Sequence, residues 1–97
     1  MAISKSAAER GTEAKFTHRQ GQFLAFICLY CQLHRQSPSE RDMQIYFGLT
    51  PPSVHSMVVK LHQLGLITRE PGTARTIRVA LPKEEVPELE EVEGPPW

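Results

Sequence analysis

Cysteine is scarce in this sequence, since its 97 residues contain only two, too few for the disulfide framework of a small secreted domain. Long hydrophobic runs are also missing, because the longest, Phe23 to Cys31, falls far short of the roughly 18–20 residues of a membrane span. The opening residues, MAISKSAAER, lack the apolar stretch of a secretory signal. We therefore expect a small cytoplasmic domain that does not interact with membranes.

Patterns that indicate catalysis or metal binding are missing as well. No Ser/His/Asp set lies in a recognisable motif, and no glycine-rich loop could cradle a phosphate. Cys28 and Cys31 form a pair, but a structural zinc site needs four ligands and no second pair follows. Cys28 also lies well inside a predicted helix, whereas thioredoxin-like activation needs a helix N-terminus. We expect no enzyme activity, cofactor, metal or small-molecule ligand, and we interpret both cysteines as buried apolar side chains.

The net charge is zero, but the charges are unevenly distributed. Residues 16–81 carry seven Lys or Arg against three acidic residues, whereas residues 82–97 carry one lysine against six glutamates. A basic body joined to an acidic tail is typical of nucleic-acid-binding proteins, although it also fits a merely solubilising role. Residues 1–15 lack periodicity and predict a mobile N-terminal arm. Residues 82–97 hold four of the eight prolines and predict an extended, disordered tail.

Three helix starts can be located from their capping residues. Thr17 and Gln20 fit a capping box, so a first helix is expected over about residues 18–34. Ser39 is the N-cap expected for a second helix, and Thr50 that for a third, whose first position is a proline with no N–H to satisfy. The left-handed stops that glycine favours predict the ends of the second and third helices at Gly48 and Gly65.

The apolar spacing changes from a helical period to a strand period after the third helix. Within that helix the predicted inward stripe consists of Val54, Met57, Val58, Leu61 and Leu64. Residues 66–70 and 76–81 are β-prone, and the turn signals of residues 71–75 join them into a hairpin. Residues 16–81 therefore predict a mostly α fold with a small β-hairpin, a winged helix-turn-helix made of a three-helix bundle and a two-stranded wing.

The outward face of the third helix is the strongest candidate for a binding surface. A short turn containing glycine joins it to the second helix, as in helix-turn-helix motifs, whose second helix enters the major groove of DNA. Its outward side chains are short, half of them are polar, and none is acidic, although a merely solvated face is the alternative. We assign base readout to Pro52, Ser53, His55, Ser56, Val59 and Lys60.

Five short segments occur in the order FTHRQ (16–20), SPSE (37–40), FGL (47–49), LHQLGLI (61–67) and PGTARTIR (71–78). Together they resemble the DNA-binding domain of LexA-type repressors, and the resemblance covers about two thirds of the chain. The PPSV segment (51–54) is similar to MarR-like winged-helix regulators. No peptidase domain follows, so we do not expect the self-cleavage of LexA proteins.

The resemblance implies that the third helix enters the major groove and that the wing lies against the neighbouring backbone or minor groove. Arginine binds phosphate through two N–H groups, and helix starts also favour anions. We assign backbone contacts to Arg19, Ser39, Arg41, Thr50, Thr73, Arg75 and Arg78. The predicted function is sequence-specific binding of double-stranded DNA by a small bacterial or phage transcriptional regulator that acts as a repressor by occupying its site.

The first helix is apolar on all sides between Phe23 and Cys31, and such a helix must be buried on all sides. LexA-type repressors dimerise through a domain that this chain lacks, so we expect a homodimer through a different surface, consisting of Phe26, Leu29, Tyr30 and Leu33. Coverage by the arm or the acidic tail, and burial within the domain, are alternatives. The rival function is a winged-helix protein–protein interaction module that docks through the first helix or the acidic tail.

Overall fold

The computed structural model describes residues 15–90, and the predicted arm lies outside this range apart from Lys15. Residues 15–90 form helices α1 (His18–His34), α2 (Glu40–Phe47) and α3 (Pro51–Gln63), strands β1 (Ile67–Thr68) and β2 (Arg78–Val79), and a 3₁₀ turn (Lys83–Glu85). The predicted order of three helices and a hairpin is confirmed. None of the helices within the described range is long and apolar enough to cross a membrane.

The N-terminal caps of α1 and α2 are complete capping boxes. The Thr17 hydroxyl accepts from the Gln20 amide at 3.1 Å, and the Gln20 side chain accepts from the Thr17 amide at 2.9 Å. Ser39 and Asp42 repeat the arrangement at 3.1 and 2.9 Å. Gly48 ends α2 at φ +66°, a left-handed conformation that glycine adopts without steric cost. The caps and this stop fix the angle at which α3 leaves α2.

The hydrophobic core lies where the three helices meet the hairpin. Phe23 of α1 stacks on Phe47 of α2 with ring centroids 4.4 Å apart and planes 6° from parallel. Ser37 and Pro38, in the connection between α1 and α2, are fully buried. The other fully buried side chains come from all three helices and from β1, namely Phe23, Leu24, Ile27, Met43, Val54, Val58, Leu61 and Ile67. One continuous core therefore holds α3 against the rest of the domain. The face of α3 that enters this core is the one predicted from its apolar stripe.

Leu64 is an exception to the predicted stripe, because its side chain is 45% exposed. The last residue of α3 is Gln63, and Gly65 at φ +75° turns the chain away from the helix axis. Leu66 is only 4% exposed and enters the core after this turn. The prediction for Leu64 is wrong because it continues the helical spacing past the last residue of α3, where the backbone is no longer helical.

The hairpin is a short antiparallel pair with Ile67 opposite Val79 and Thr68 opposite Arg78. The Ala80 amide donates to the Leu66 carbonyl at 2.9 Å, which extends the pairing by one more bond. Because side chains alternate along a strand, the wing packs one face on the core and exposes the other.

The prediction that residues 82–97 are extended and disordered needs correction over residues 82–90, the tail segment. Val86 and Leu89 of this segment pack against the hydrophobic core. The Gln22 side chain of α1 donates to the Glu88 carbonyl at 3.0 Å and accepts from the Glu90 amide at 2.8 Å. Proline and glutamate dominate the composition of this segment, and the prediction of disorder rests on them. It gave no weight to Val86 and Leu89, the two apolar residues that cover α1. Residues 91–97 of the predicted tail lie outside the described range.

Candidate nucleic-acid interface

The six predicted base-readout residues share one surface of α3, which we name the reading face: Pro52, Ser53, His55, Ser56, Val59 and Lys60. Five of them are exposed and Val59 is half-buried. They lie opposite the buried Val54, Val58 and Leu61, since successive helical residues are rotated by about 100°. The reading face thus lies on a helix whose inner face is buried in the core, and five of its six side chains are exposed.

The start of α3 is fixed by Thr50. Its hydroxyl accepts from the Ser53 amide at 3.3 Å and donates to the Ser53 hydroxyl at 2.9 Å. A hydroxyl that caps a helix is less available to a phosphate. Thr50 was predicted to contact the DNA backbone, and in this structure its side chain positions the first turn of α3.

A cleft of about 330 Å³ separates the wing from the starts of α2 and α3. We name it the wing cleft. Four predicted contact residues line it, namely Ser39, His55, Thr73 and Arg75. The fold therefore brings together residues from three elements that the sequence separates by up to 36 positions.

Arg75 lines the wing cleft, and its guanidinium is paired within the domain. Its Nη1 is 3.1 Å from the Ser37 carbonyl oxygen, 3.1 Å from an Asp42 carboxylate oxygen and 3.3 Å from the Tyr30 hydroxyl. Its backbone is left-handed at φ +60°, which turns the side chain back at the end of the wing loop. The phosphate contact of Arg75 stays a prediction, and in this structure its guanidinium joins the wing to the connection between α1 and α2.

Asp42 is the acidic partner in this connection. Burial by itself raises the pKa of Asp42, but the hydrogen bonds from Ser39 and the positive charge of Arg75 outweigh it, so the pKa lies below its ordinary value. The carboxylate is consequently ionised at neutral pH and stays paired with Arg75. One side chain thus serves both the capping box of α2 and the position of the wing.

His55 of the reading face contacts an acid that sequence reasoning left unassigned. Its Nδ1 lies 3.2 and 3.1 Å from the two carboxylate oxygens of Glu40, which begins α2. The His55 side chain is 58% exposed and that of Glu40 is 30% exposed. No local pattern could reveal this pair, because it joins two helices across the helix-turn-helix turn.

The other predicted backbone contacts are more scattered. Arg19 and Arg41 are exposed, in the first turns of α1 and α2 respectively. Ser39 uses its hydroxyl to cap α2, as Thr50 does for α3. Arg78 lines a different cleft against α1 together with Lys83, so the structure does not bring it into the wing cleft.

The wing loop is closed by a residue that the sequence analysis missed. The Thr76 hydroxyl accepts from the Glu70 amide at 2.9 Å and donates to the Thr73 carbonyl at 3.1 Å. A threonine near a glycine turn is a recognised signal for such closure. Thr73 itself is exposed at the loop, as its predicted role requires.

The predicted dimer surface on α1 is divided by the fold. Phe26 is only 8% exposed, because its ring packs at 4.8 Å from that of Tyr46 and 5.6 Å from that of Phe47, so its inclusion needs correction. Tyr30 is half-buried, whereas Leu29 and Leu33 are 40% and 68% exposed. The tail segment covers part of α1, and coverage by the tail is one of the alternatives to a dimer.

The two cysteines are half-buried rather than fully buried, and both are free thiols. Burial, followed by the neighbouring Cys31, raises the pKa of the Cys28 thiol. A thiol with a raised pKa is a poor nucleophile and a poor metal ligand at neutral pH.

A helix-turn-helix pair braced by a third helix, with an exposed second helix beside a two-stranded wing, defines a winged-helix DNA-binding domain. Comparison with known sequences narrows the class, since the family of the LexA DNA binding domain matches residues 13–76. The chain belongs to this family, that of the LexA DNA binding domain.

Individual relatives agree with the family assignment. The LexA repressors of Thermosipho melanesiensis and Thermosipho africanus are 39% and 40% identical over 72 residues, which are 74% of this chain and 36% of each repressor. The LexA repressor of Syntrophomonas wolfei is 37% identical over 79 residues, which are 80% of this chain and 37% of that protein. The chain therefore spans just over a third of the length of these curated relatives.

Proposed function

We propose that this protein represses transcription in the bacterial cytoplasm by occupying a specific site in double-stranded DNA, with the reading face in the major groove. The observation that carries the proposal is the reading face itself, an accessible and acid-free surface on a helix whose other side is fixed in the core. The names of the relatives, which are repressors, support the regulatory role.

The chemistry of the reading face suits base edges. Ser53 and Ser56 can donate to or accept from either kind of base edge, and Lys60 is a donor suited to guanine. Pro52 and Val59 provide apolar surface for the thymine methyl group. Thr73 of the wing lines a cleft with His55 of the reading face, and Arg41 in the first turn of α2 is exposed. Both can contact phosphates, which fix the position of the domain on the duplex.

Selection of bound sequences from random duplex DNA, followed by fluorescence anisotropy, tests this proposal. Ser56→Ala should change the preferred base at one position by about 1–3 kcal/mol, which is the range of a base contact. Arg41→Ala should weaken binding to all sequences alike and should reduce the slope of log K against log salt by about one, the amount expected for one lost phosphate contact.

Lys83→Ala is the matched control for the loss of one positive charge. Lys83 lies against α1 in the cleft of Arg78, which is not the wing cleft. Its replacement should leave both the affinity and the salt slope near those of the wild type. The proposed face is wrong if Lys83→Ala weakens binding as much as Arg41→Ala while Ser56→Ala changes no preference.

A symmetric homodimer through the exposed leucines of α1 is a finer part of the proposal. Leu29 and Leu33 are the exposed large apolar residues of α1, and two copies of this patch would match a palindromic site. Leu33→Glu should give a folded monomer with weaker DNA binding, measured by light scattering and circular dichroism. A wild-type chain that is monomeric at high micromolar concentration contradicts the dimer.

A further inference from the structure

We propose that Glu40 is a positioning residue that holds the neutral His55 in its Nδ1–H tautomer, so that Nε2 accepts a hydrogen bond from an exocyclic amine of DNA. The inference rests on the proposed function, because it assumes that the reading face meets base edges. It adds the class of base that His55 selects, namely adenine or cytosine.

The geometry fixes which ring nitrogen carries the proton. An ionised carboxylate can only accept hydrogen bonds, and Nδ1 of His55 lies 3.1–3.2 Å from both oxygens of Glu40. Nδ1 must therefore be the donor. Glu40 is itself well placed for this role, because it follows the Ser39 cap in the first turn of α2, which packs on α3.

The consequence appears on the opposite edge of the ring. A neutral imidazole has one donor and one acceptor, so a donating Nδ1 leaves Nε2 with a lone pair. Nε2 forms no hydrogen bond with any other residue between positions 15 and 90, and the side chain is 58% exposed. An accessible acceptor on the reading face is thus available to a ligand.

The major groove presents few partners for such an acceptor. The donors at base edges are the N6 amine of adenine and the N4 amine of cytosine, whereas guanine and thymine present acceptors. The neutral His55 should therefore favour adenine or cytosine at one position of the site and reject guanine and thymine there.

Other charged groups also face the wing cleft and could influence His55. Arg69, Glu70 and Arg75 line the cleft with Glu40 and His55, and Arg75 is paired with Asp42. Glu70 provides a matched control, because it is an acid of the same cleft that forms no hydrogen bond with His55.

The first measurement is made on the free protein, so it does not depend on DNA. Long-range ¹H–¹⁵N spectra of the labelled full chain at pH 8.5, where an ordinary imidazole is neutral, distinguish the two tautomers. The wild type and Glu70→Ala should show the Nδ1–H form of His55, and Glu40→Ala should lose it. An Nε2–H form in the wild type overturns the inference.

The second measurement compares affinities at the same pH for duplexes that differ at each position of the selected site. Glu40→Ala and His55→Ala should each lose, by about fivefold, the preference for adenine or cytosine at the same position. The double variant should lose no more than either single variant, since the two residues act as one unit. Glu70→Ala should keep the preference, and melting curves should show that all variants are folded.

The outcomes separate this inference from the proposed function. If the wild type discriminates among sequences but His55→Ala or Glu40→Ala changes no preference, the reading face stands and the role of the pair is wrong. If the wild type discriminates among no sequences, the proposed function fails, and the base assignment fails with it.

Discussion

A methyl group at Gly21 would test how the tail segment lies on α1. Gly21 is buried within the helix, and a Cβ added there would lie 3.0 Å from Cε1 of Phe16 and 3.0 Å from Cγ of Pro87. Real Cβ atoms are rarely this close to a neighbour, so at least one of the two rings would have to shift. Pro87 lies in the tail segment, which is held on α1 by Gln22.

Two opposing effects determine the magnitude. Alanine is favoured over glycine inside a helix by about 0.5–1 kcal/mol, because glycine loses more backbone entropy on folding. Overpacking a close-packed site typically costs about 1–3 kcal/mol. We therefore expect Gly21→Ala to lower the free energy of unfolding by about 1 kcal/mol, which for a domain of this size lowers Tm by about 4–8 °C.

The assay is a double-mutant cycle followed by urea and thermal unfolding with circular dichroism. Pro87→Ala removes the Cγ atom, so Gly21→Ala should cost about 1 kcal/mol less in that background. If Gly21→Ala instead stabilises the chain equally in both backgrounds, helix propensity alone is at work. In that case the tail segment does not lie against Gly21.

Three further predictions, made with four variants, concern contacts within the domain. Asp42→Asn should lower the free energy of unfolding at neutral pH, and the difference from the wild type should shrink as the pH falls below about 4. A carboxyl whose pKa is lowered in the folded state stabilises the fold above its unfolded pKa and loses that effect in acid. Urea titrations across this pH range would show a constant difference if the reasoning is wrong. Phe26→Ala should lower the free energy of unfolding by about 3–5 kcal/mol, because the Phe26 side chain is only 8% exposed. Leu33→Ala should change it by less than about 0.5 kcal/mol, because Leu33 is 68% exposed. Equal costs would contradict the assignment of Phe26 to the core. Arg75→Ala should speed amide hydrogen exchange in residues 66–81 without affecting the helices, and unchanged exchange there would show that Arg75 does not hold the wing.

The helices and the wing were predictable because their signals are local. Thr17, Ser39 and Thr50 each cap a helix within three residues of their own position, and Gly48 ends one by its backbone conformation alone. The apolar stripe of α3 likewise identifies its inner face, and with it the reading face. Local chemistry therefore predicts both the fold and the surface of the candidate site.

The contacts that join distant segments were not predictable in the same way. His55 meets Glu40 from 15 positions away, and Arg75 meets Asp42 from 33 positions away. These contacts depend on how α2, α3 and the wing pack against one another. The spacing of apolar residues along the sequence does not predict that packing. The tail segment was missed for a related reason, because its composition predicts disorder while Val86 and Leu89 find uncovered surface on α1.

The most direct test of the central claim is the salt dependence of DNA affinity. It is measured for the wild type and for Ser56→Ala, each with a selected duplex and with a scrambled duplex. The wild type should lose affinity for both duplexes with the same steep slope of log K against log salt, since phosphate contacts set that slope. It should bind the selected duplex more tightly at every salt concentration, and Ser56→Ala should reduce that advantage without changing the slope. Flat salt dependence, or equal affinity of the wild type for the two duplexes, would contradict sequence readout by α3 and would favour protein docking through α1.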